Sequence, residues 1–363
     1  MVAVRAVTRR QALDLRLRAQ QLDRAAGTVA DTALLDIGVQ DTGADGALWA
    51  LAIRGLEHPP PDELATVWTI RGAPHVYRRA DLPTVAAATA PFSDADAGKR
   101  IFDAAKPLKA AGIPNLTALD TVADAMRSIV REPMVKGELS TRLTAALPEP
   151  YLRFCRPCNA VHTYEQPFRL AALRAGLELE AGTSPPVLRP VPGLSPAANV
   201  PARLEVVRAY LRLLGPATPQ HVAGYLDAPV ADVKAHWPAD AVEVSLDGDR
   251  RWLLADDVDR LDDGPGEVTR LLAPFDLYLQ ARDRSLLLPD AGHAKDLWRV
   301  LGRPGGVLSR GEIVGTWRAR KSGAAVTVSV DLWAPADRVA VSDQAKRLAA
   351  FRELALGGVE ISD

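Results

Sequence analysis

The sequence predicts an α+β chain, mainly helical, made of winged-helix units followed by a C-terminal α/β cap. Three observations predict it. Short apolar segments with helical spacing come in succession. Pairs of β-prone runs joined by Gly- and Pro-containing or Asp-Gly turns follow those helical groups. After about residue 270 strand-like runs and a last helical segment take over.

At 363 residues the chain exceeds one ordinary core, so two or three domains are expected. Its 48% hydrophobic and 25% charged content is that of a globular protein, and no apolar run reaches the length of a membrane span. The start, MVAVRAVTRRQALDLRLRAQ, lacks a long apolar region, so no signal peptide and a cytoplasmic location are expected. A net charge of −1 offers nucleic acid no general attraction, so any such surface must be a local basic patch. Two cysteines exclude a disulfide framework. The abundant Ala, Arg, Asp and Pro point to GC-rich bacterial coding.

Thr8, with Gln11 three residues on, marks a capping box. The helix it starts carries Leu13, Leu17 and Leu22 on its apolar side and Arg9, Arg10, Arg16 and Arg18 on faces read as solvated. The stretch Leu34 to Gly55 then organises the chain. Apolar segments from Ala30 to Ile37 and from Ala47 to Ile53 read as two packed helices, with Asp45 as N-cap of the second. Gln40, Asp41 and Thr42 are expected in the short turn between them. Leu64–Ile70 and His75–Tyr77 form a hairpin around Arg71-Gly72-Ala73-Pro74, with Arg71 at the tip and Arg78 and Arg79 after the second strand. Three helices and a hairpin make a winged helix over residues 1–82.

Residues 83–200 read as an Ala-rich helical segment, a second helix-plus-wing unit and a Pro-rich linker. The linker is placed at 182–201, after a short strand pair near 151–165 and a helix from Pro167 to Ala175. Residues 201–256 read as a third winged helix. Its helices lie near 204–214, 219–225 and 227–237, with Thr218 capping the second. Its wing is Val242–Leu246 and Arg250–Leu254 about an Asp-Gly turn. The remainder, 257–363, is the α/β region, with a strand at 325–330 and a helix at 337–356. Arg318, Arg320 and Lys321 lie near one turn in it.

Several of these stretches together resemble one family, the tandem winged-helix proteins that include the AlkZ-type crosslink-unhooking DNA glycosylases. That family's Gly-Leu-Gln-Ala-Gln-Asp motif and Ala-Leu-Trp helix are similar to Gly38-Val39-Gln40-Asp41-Thr42-Gly43 and Ala47-Leu48-Trp49. Its Trp-x-x-Arg-Gly-Thr-x-His wing resembles Trp68 to His75, and its Tyr-Gly-Pro-Ala-Thr turn resembles Leu214 to Thr218. Its Leu-Pro-x-Phe-Asp and Val-Gly-Thr-Trp elements resemble Leu272 to Asp276 and Val314 to Trp317. The resemblance implies three winged helices in a C-shape with a basic channel for duplex DNA. It also implies chemistry by a Gln-apolar-Gln motif. Gln40 takes the first glutamine, whereas Asp41 stands at the apolar position and Thr42 at the second glutamine.

Cleaving the glycosidic bond of an alkylated purine needs a water held against the anomeric carbon, and the cationic base needs little acid help. A neutral amide can orient that water, and a carboxylate can also take its proton. Gln40 is therefore expected to place water, Asp41 to substitute as base and Thr42 to hold the water; an Asx- or helix-capping role is the alternative for Asp41 and Thr42, and is favoured for Thr42. Arg71, His75, Arg78, Arg318, Arg320 and Lys321 are the expected DNA contacts, with Arg71 favoured over His75. A structural role is the bland alternative for His75 on so small a hairpin.

Cys155-Arg156-Pro157-Cys158 with His162 reads first as a reduced pair in a β turn and second as a partial zinc site, with Glu165 an unusual fourth ligand. No metal and no cofactor are expected. The leading function is a DNA repair glycosylase, or a relative of one, acting as a monomer on alkylated or crosslinked bases. The alternative is a non-catalytic DNA-binding protein, a regulator or a lesion-sequestering factor. A protein-binding scaffold is a third reading.

Overall fold

A computed structural model describes residues 4–43, 45–264 and 266–362. It is a mixed α+β chain, and its described residues fall into two compact units. One draws on 1–59, 207–222 and 238–363, the other on 60–206 and 223–237. Both are discontinuous in sequence, so their limits differ from the expected boundaries at 82, 200 and 256. No helix among the described residues is long and apolar enough to cross a membrane.

In the first unit, Thr8 caps the helix Arg9–Ala19 through the expected reciprocal box with Gln11. The cationic faces of this helix are not simply solvated, which corrects the expectation. Arg16 is buried and forms a bidentate pair with Asp283 at 2.7 and 3.0 Å, while Arg9 pairs with Glu312 and Arg10 with Asp14. Below this helix lies a three-stranded sheet. The strand Arg5–Val7 runs parallel to Ala241–Leu246, which pairs antiparallel with Asp249–Leu254. Asp247 and Gly248 both have positive φ, 47° and 91°, as a tight Asp-Gly hairpin requires. Val7, Ala12, Leu15, Val244, Leu246 and Leu253 form the core between helix and sheet.

The expected elements near 204–237 are present as helices Val206–Leu214, Pro219–Leu226 and Val230–Ala235, the last shorter at both ends. Thr218 Oγ1 accepts the His221 amide, as its capping role requires.

The C-terminal part of the first unit is a five-stranded sheet. Its strands lie in the order Thr269–Leu272, Gly305–Ser309, Glu312–Ser322, Ala325–Leu332, Ala355–Ser362. The last two are parallel, so they need a crossover, supplied by the helix Arg338–Phe351 with Asp337 as its N-cap. The expected helix to 356 therefore ends early, and Leu356 belongs to the final strand. Val326, Val328, Val330 and Leu332 alternate inward on one face of this sheet, while Thr327, Ser329 and Asp331 face the other way.

The second unit is built on the helix Asn115–Ile129, whose Ala118, Leu119, Val122, Ala123 and Met126 make one buried stripe. It packs with Leu139, Leu143, Phe168 and Ala172 from the helices Lys136–Ala146 and Glu165–Arg174. The hairpin Leu64–Trp68 and Pro74–Arg78 forms as expected. Its sheet continues through Leu177–Leu179 to Val187–Pro190 and Met134–Val135. Part of the Pro-rich stretch, Val187–Pro190, is therefore a strand of this sheet. Leu188 is fully buried, and its strand pairs on both sides.

Candidate active site

The stretch around Gln40 has a different local structure from two helices and a turn. Ala33–Asp36 is a single 3-10 turn, Val39–Gln40 is a two-residue strand, and only Gly46–Ala52 is an α-helix. Gly38 and Gly43 bracket it with φ of 87° and 97°, conformations that suit glycine. Gln40 is 8% exposed, and its Nε2 donates to Thr42 Oγ1 at 2.9 Å. Asp41 Oδ1 accepts the Ala47 amide at 3.2 Å, so Asp41 takes the capping role that the sequence offers as its own alternative and favours for Thr42. Asp45 makes no cap hydrogen bond and instead pairs with Arg352 at 2.9 Å. Burial holds the Asp41 carboxyl above its ordinary range. The Ala47 amide opposes this and the Asp45 charge adds to it.

A cleft of about 230 Å³ opens beside this turn, lined by Thr42, Asp45, Trp49, Arg303, Arg318 and Arg352 among others. Its floor is braced by two indoles. Trp49 Nε1 donates to the Leu271 carbonyl at 2.7 Å, and Trp317 Nε1 donates to that of Leu272 at 2.8 Å. Three guanidinium groups face one carboxylate in this lining, which makes it a cationic cleft suited to an anionic backbone. The fold thus brings Thr42 and Arg318 together although 276 residues separate them in sequence. Arg303 and Arg352 were not among the expected residues. Neither lies in a motif, and only the packing of the sheet and of the Arg338–Phe351 helix end places them there.

Arg318 and Arg320 are exposed on one face of the strand Glu312–Ser322, and Lys321 is exposed on the other. Arg318 also donates to the Gly302 carbonyl at 2.7 Å. A larger groove of about 590 Å³ runs along the Arg318 face, but Asp331 and Glu360 line it as well. With Asp296 they outnumber Arg299 and Arg318 in this groove, so phosphate contact by Arg318 belongs to the cleft it shares with Thr42, Arg303 and Arg352.

The residues of the second unit's Leu64–Trp68 and Pro74–Arg78 hairpin are differently placed from expectation. His75 is completely buried. Its Nδ1 lies 3.0 Å from the Ala73 carbonyl and 3.1 Å from Thr69 Oγ1, while Nε2 is buried without a hydrogen-bond partner. Burial, reinforced by the Arg71 charge and opposed by the Ala73 carbonyl, lowers its pKa to about 3. His75 is thus a neutral interior group with no surface to offer a phosphate. Arg71, at φ 58°, is half-buried. It donates to the Tyr225 carbonyl and sits 4.8 Å from the centre of that ring. Arg78 is buried beside Asp81 at 3.4 Å.

The family model described as DNA glycosylase AlkZ-like matches residues 57–351. The chain belongs to this AlkZ-like family. The AlkZ-like fold is seen independently in a solved structure, Streptomyces sahachiroi DNA glycosylase AlkZ. It is 20% identical, with a TM-score of 0.74, over 98% of this chain and 100% of that one. No curated protein sequence matches. The AlkZ-like match begins at residue 57, after the Gln40 turn, so membership in the family rests on the rest of the chain.

Proposed function

We propose that this AlkZ-like protein is a monofunctional DNA glycosylase acting on alkylated or crosslinked bases in duplex DNA. The observation that carries this reading is the turn of Gln40, Asp41 and Thr42, in which Thr42 holds Gln40 and lines a cationic cleft, while Gln40 and Asp41 lie next to the lining and not in it. In the proposed reaction the C1′–N bond of a cationic alkylpurine breaks. Its electron pair neutralises the base, and water attacks the developing oxocarbenium ion. Gln40, fixed by Thr42, orients the water. Asp41 is anchored at Oδ1 by the Ala47 amide, and its other oxygen accepts the proton lost by the water. A carboxyl raised above its ordinary range is a better base than a surface aspartate, and its charge still offsets the oxocarbenium. The departure from a Gln-apolar-Gln motif is read as an exchange of one amide for a carboxylate. Arg318, Arg320 and Lys321 are assigned to phosphates. The winged-helix units and a monomeric state complete the reading.

Base release from duplex DNA carrying a 7-alkylguanine tests it. Wild type is expected to form abasic sites. Gln40→Ala and Asp41→Asn are expected to lose on the order of 10²-fold or more in rate. Asp41→Asn keeps an oxygen for the Ala47 amide, so its Tm at neutral pH is expected to hold or rise. Wild-type activity is expected to fall on acidification, because a protonated Asp41 accepts no proton. Salt-sensitive binding without base release would instead favour a DNA-binding protein without chemistry.

A further inference from the structure

The hairpin of the second unit formed by Leu152–Cys155 and Ala160–Thr163 carries chemistry that the glycosylase reading leaves unused. Its register pairs Arg153 with His162 and Cys155 with Ala160, so Cys155 and His162 share one face. Cys158 lies in the connecting turn. The two sulfurs and one ring nitrogen of His162 all lie within 4.8 Å of one another. Zinc–sulfur and zinc–nitrogen bonds of about 2.3 and 2.1 Å set donors of a tetrahedron about 3.4–3.8 Å apart, within reach of side-chain rotations.

The turn itself is shaped for a bound thiolate. The Cys158 amide and its thiol both direct hydrogen bonds at the Cys155 sulfur, so the turn gathers the two sulfurs at one point. Pro157 pre-sets the loop, and Asn159 takes the left-handed conformation, φ 49°, that lets the chain return. The hairpin's packing lies at its base, where Leu152 packs on the core of the unit and Thr163 is buried. Phe154 and Val161, paired on the opposite face, are 60% and 48% exposed. Beyond that base the strands are exposed and gain order from a cross-link near the tip. Glu165 does not complete the set, because its carboxylate is held by Lys136 at 2.7 Å and Arg169 at 2.6 Å.

We propose that Cys155, Cys158 and His162 bind one zinc ion through two thiolates and one imidazole nitrogen, with water as the fourth ligand. Binding releases the two thiol protons and involves no redox step. This reverses the order of the two readings that the motif alone supports. The ion cross-links the base and tip of the hairpin and so fixes the strand pair that carries Phe154 and Val161.

The test uses the full chain, reduced and stripped with a chelator, then titrated with cobalt(II) without oxygen. Saturation at one equivalent is expected, with tetrahedral d–d bands and thiolate-to-cobalt charge transfer, both bleached by zinc. Zinc is also expected to shield both thiols from a chromogenic disulfide reagent. Cys158→Ser is expected to lose the charge-transfer band and the binding, and His162→Ala the tetrahedral signature. The metal-free variants are expected to match metal-free wild type in circular dichroism and Tm, which separates ligand loss from misfolding. Thiols that stay fully reactive in excess zinc would overturn the proposal, as would a cobalt spectrum without charge transfer. A spectrum that His162→Ala leaves unchanged would overturn the assigned ligand set.

Discussion

His75 shows how burial decides the chemistry of a single residue. An imidazole at the surface could meet a phosphate, but this one is enclosed with Nε2 unpartnered and its pKa lowered to about 3. The unfolded chain protonates it near the ordinary value of 6.5, and the folded chain does not. Between those values the unfolded state binds the additional proton, so stability is present above about pH 6.5 and drains away as pH falls. The expected slope is at most about 1.4 kcal/mol per pH unit from this group. Urea melts between pH 7 and 4 should show that His75→Gln removes one proton's worth of this dependence. An unchanged slope would mean that His75 is accessible and titrates. Asp41 shows the opposite side of burial. Its carboxyl is raised while one oxygen remains tied to a backbone amide, which suits a base more than a simple cap.

At the level of elements, the cleft depends on a close approach between strands. Gly305 on the strand Gly305–Ser309 faces Trp317 on its neighbour, with which it is paired. A Cβ at Gly305 would fall on the Trp317 indole nitrogen and the Leu272 carbonyl, the two partners of the hydrogen bond that braces the cleft floor. Backbone and a pinned indole cannot give way cheaply. Gly305→Ala is expected to cost roughly 1–3 kcal/mol, read by denaturant unfolding, and to reduce base release by more than its effect on Tm explains. Gly315→Ala on the adjacent strand, which would strike the Asp331 carbonyl, serves as a comparison that leaves Trp317's own hydrogen bond in place. A second device of this kind is the buried pair of Arg54 and Asp276, hydrogen-bonded twice at 2.8 Å, which ties the Gly46–Ala52 helix end to the turn after Thr269–Leu272. Such a pair is costly to break singly and therefore holds the two elements in register.

For the whole molecule, a net charge of −1 means that affinity for DNA must come from a few placed cations. Each phosphate contact contributes about 0.9 to the slope of log K against log salt. Replacing Arg320 and Lys321 by Ala is therefore expected to lower that slope by about 2 and to weaken binding alike for damaged and undamaged duplex. Neither residue touches the Gln40 turn, so single-turnover base release at saturating protein is expected to stay within about twofold. A slope equal to that of wild type would remove these cations from the DNA surface.

The parts of this protein written locally were legible in the chain. The Thr8–Gln11 box, the Asp247-Gly248 turn, the Thr218 cap and the 64–78 hairpin each depend on residues within a few positions of one another. Ordered motifs likewise pointed to the AlkZ-like family, because motif order survives in sequence. Long-range pairing was not legible. Val187–Pro190 looked like part of a linker because the prolines and glycines around it dominate the local signal, and only the neighbouring strands give its backbone partners. The cationic helix looked solvated because Asp283 and Glu312 lie far along the chain. Tertiary structure alone decided that His75 is neutral and interior and that Arg303 and Arg352 face Thr42 across a cleft. The physical reason is the same in each case: burial and charge pairing depend on which distant surfaces meet, and spacing within one segment carries no record of that.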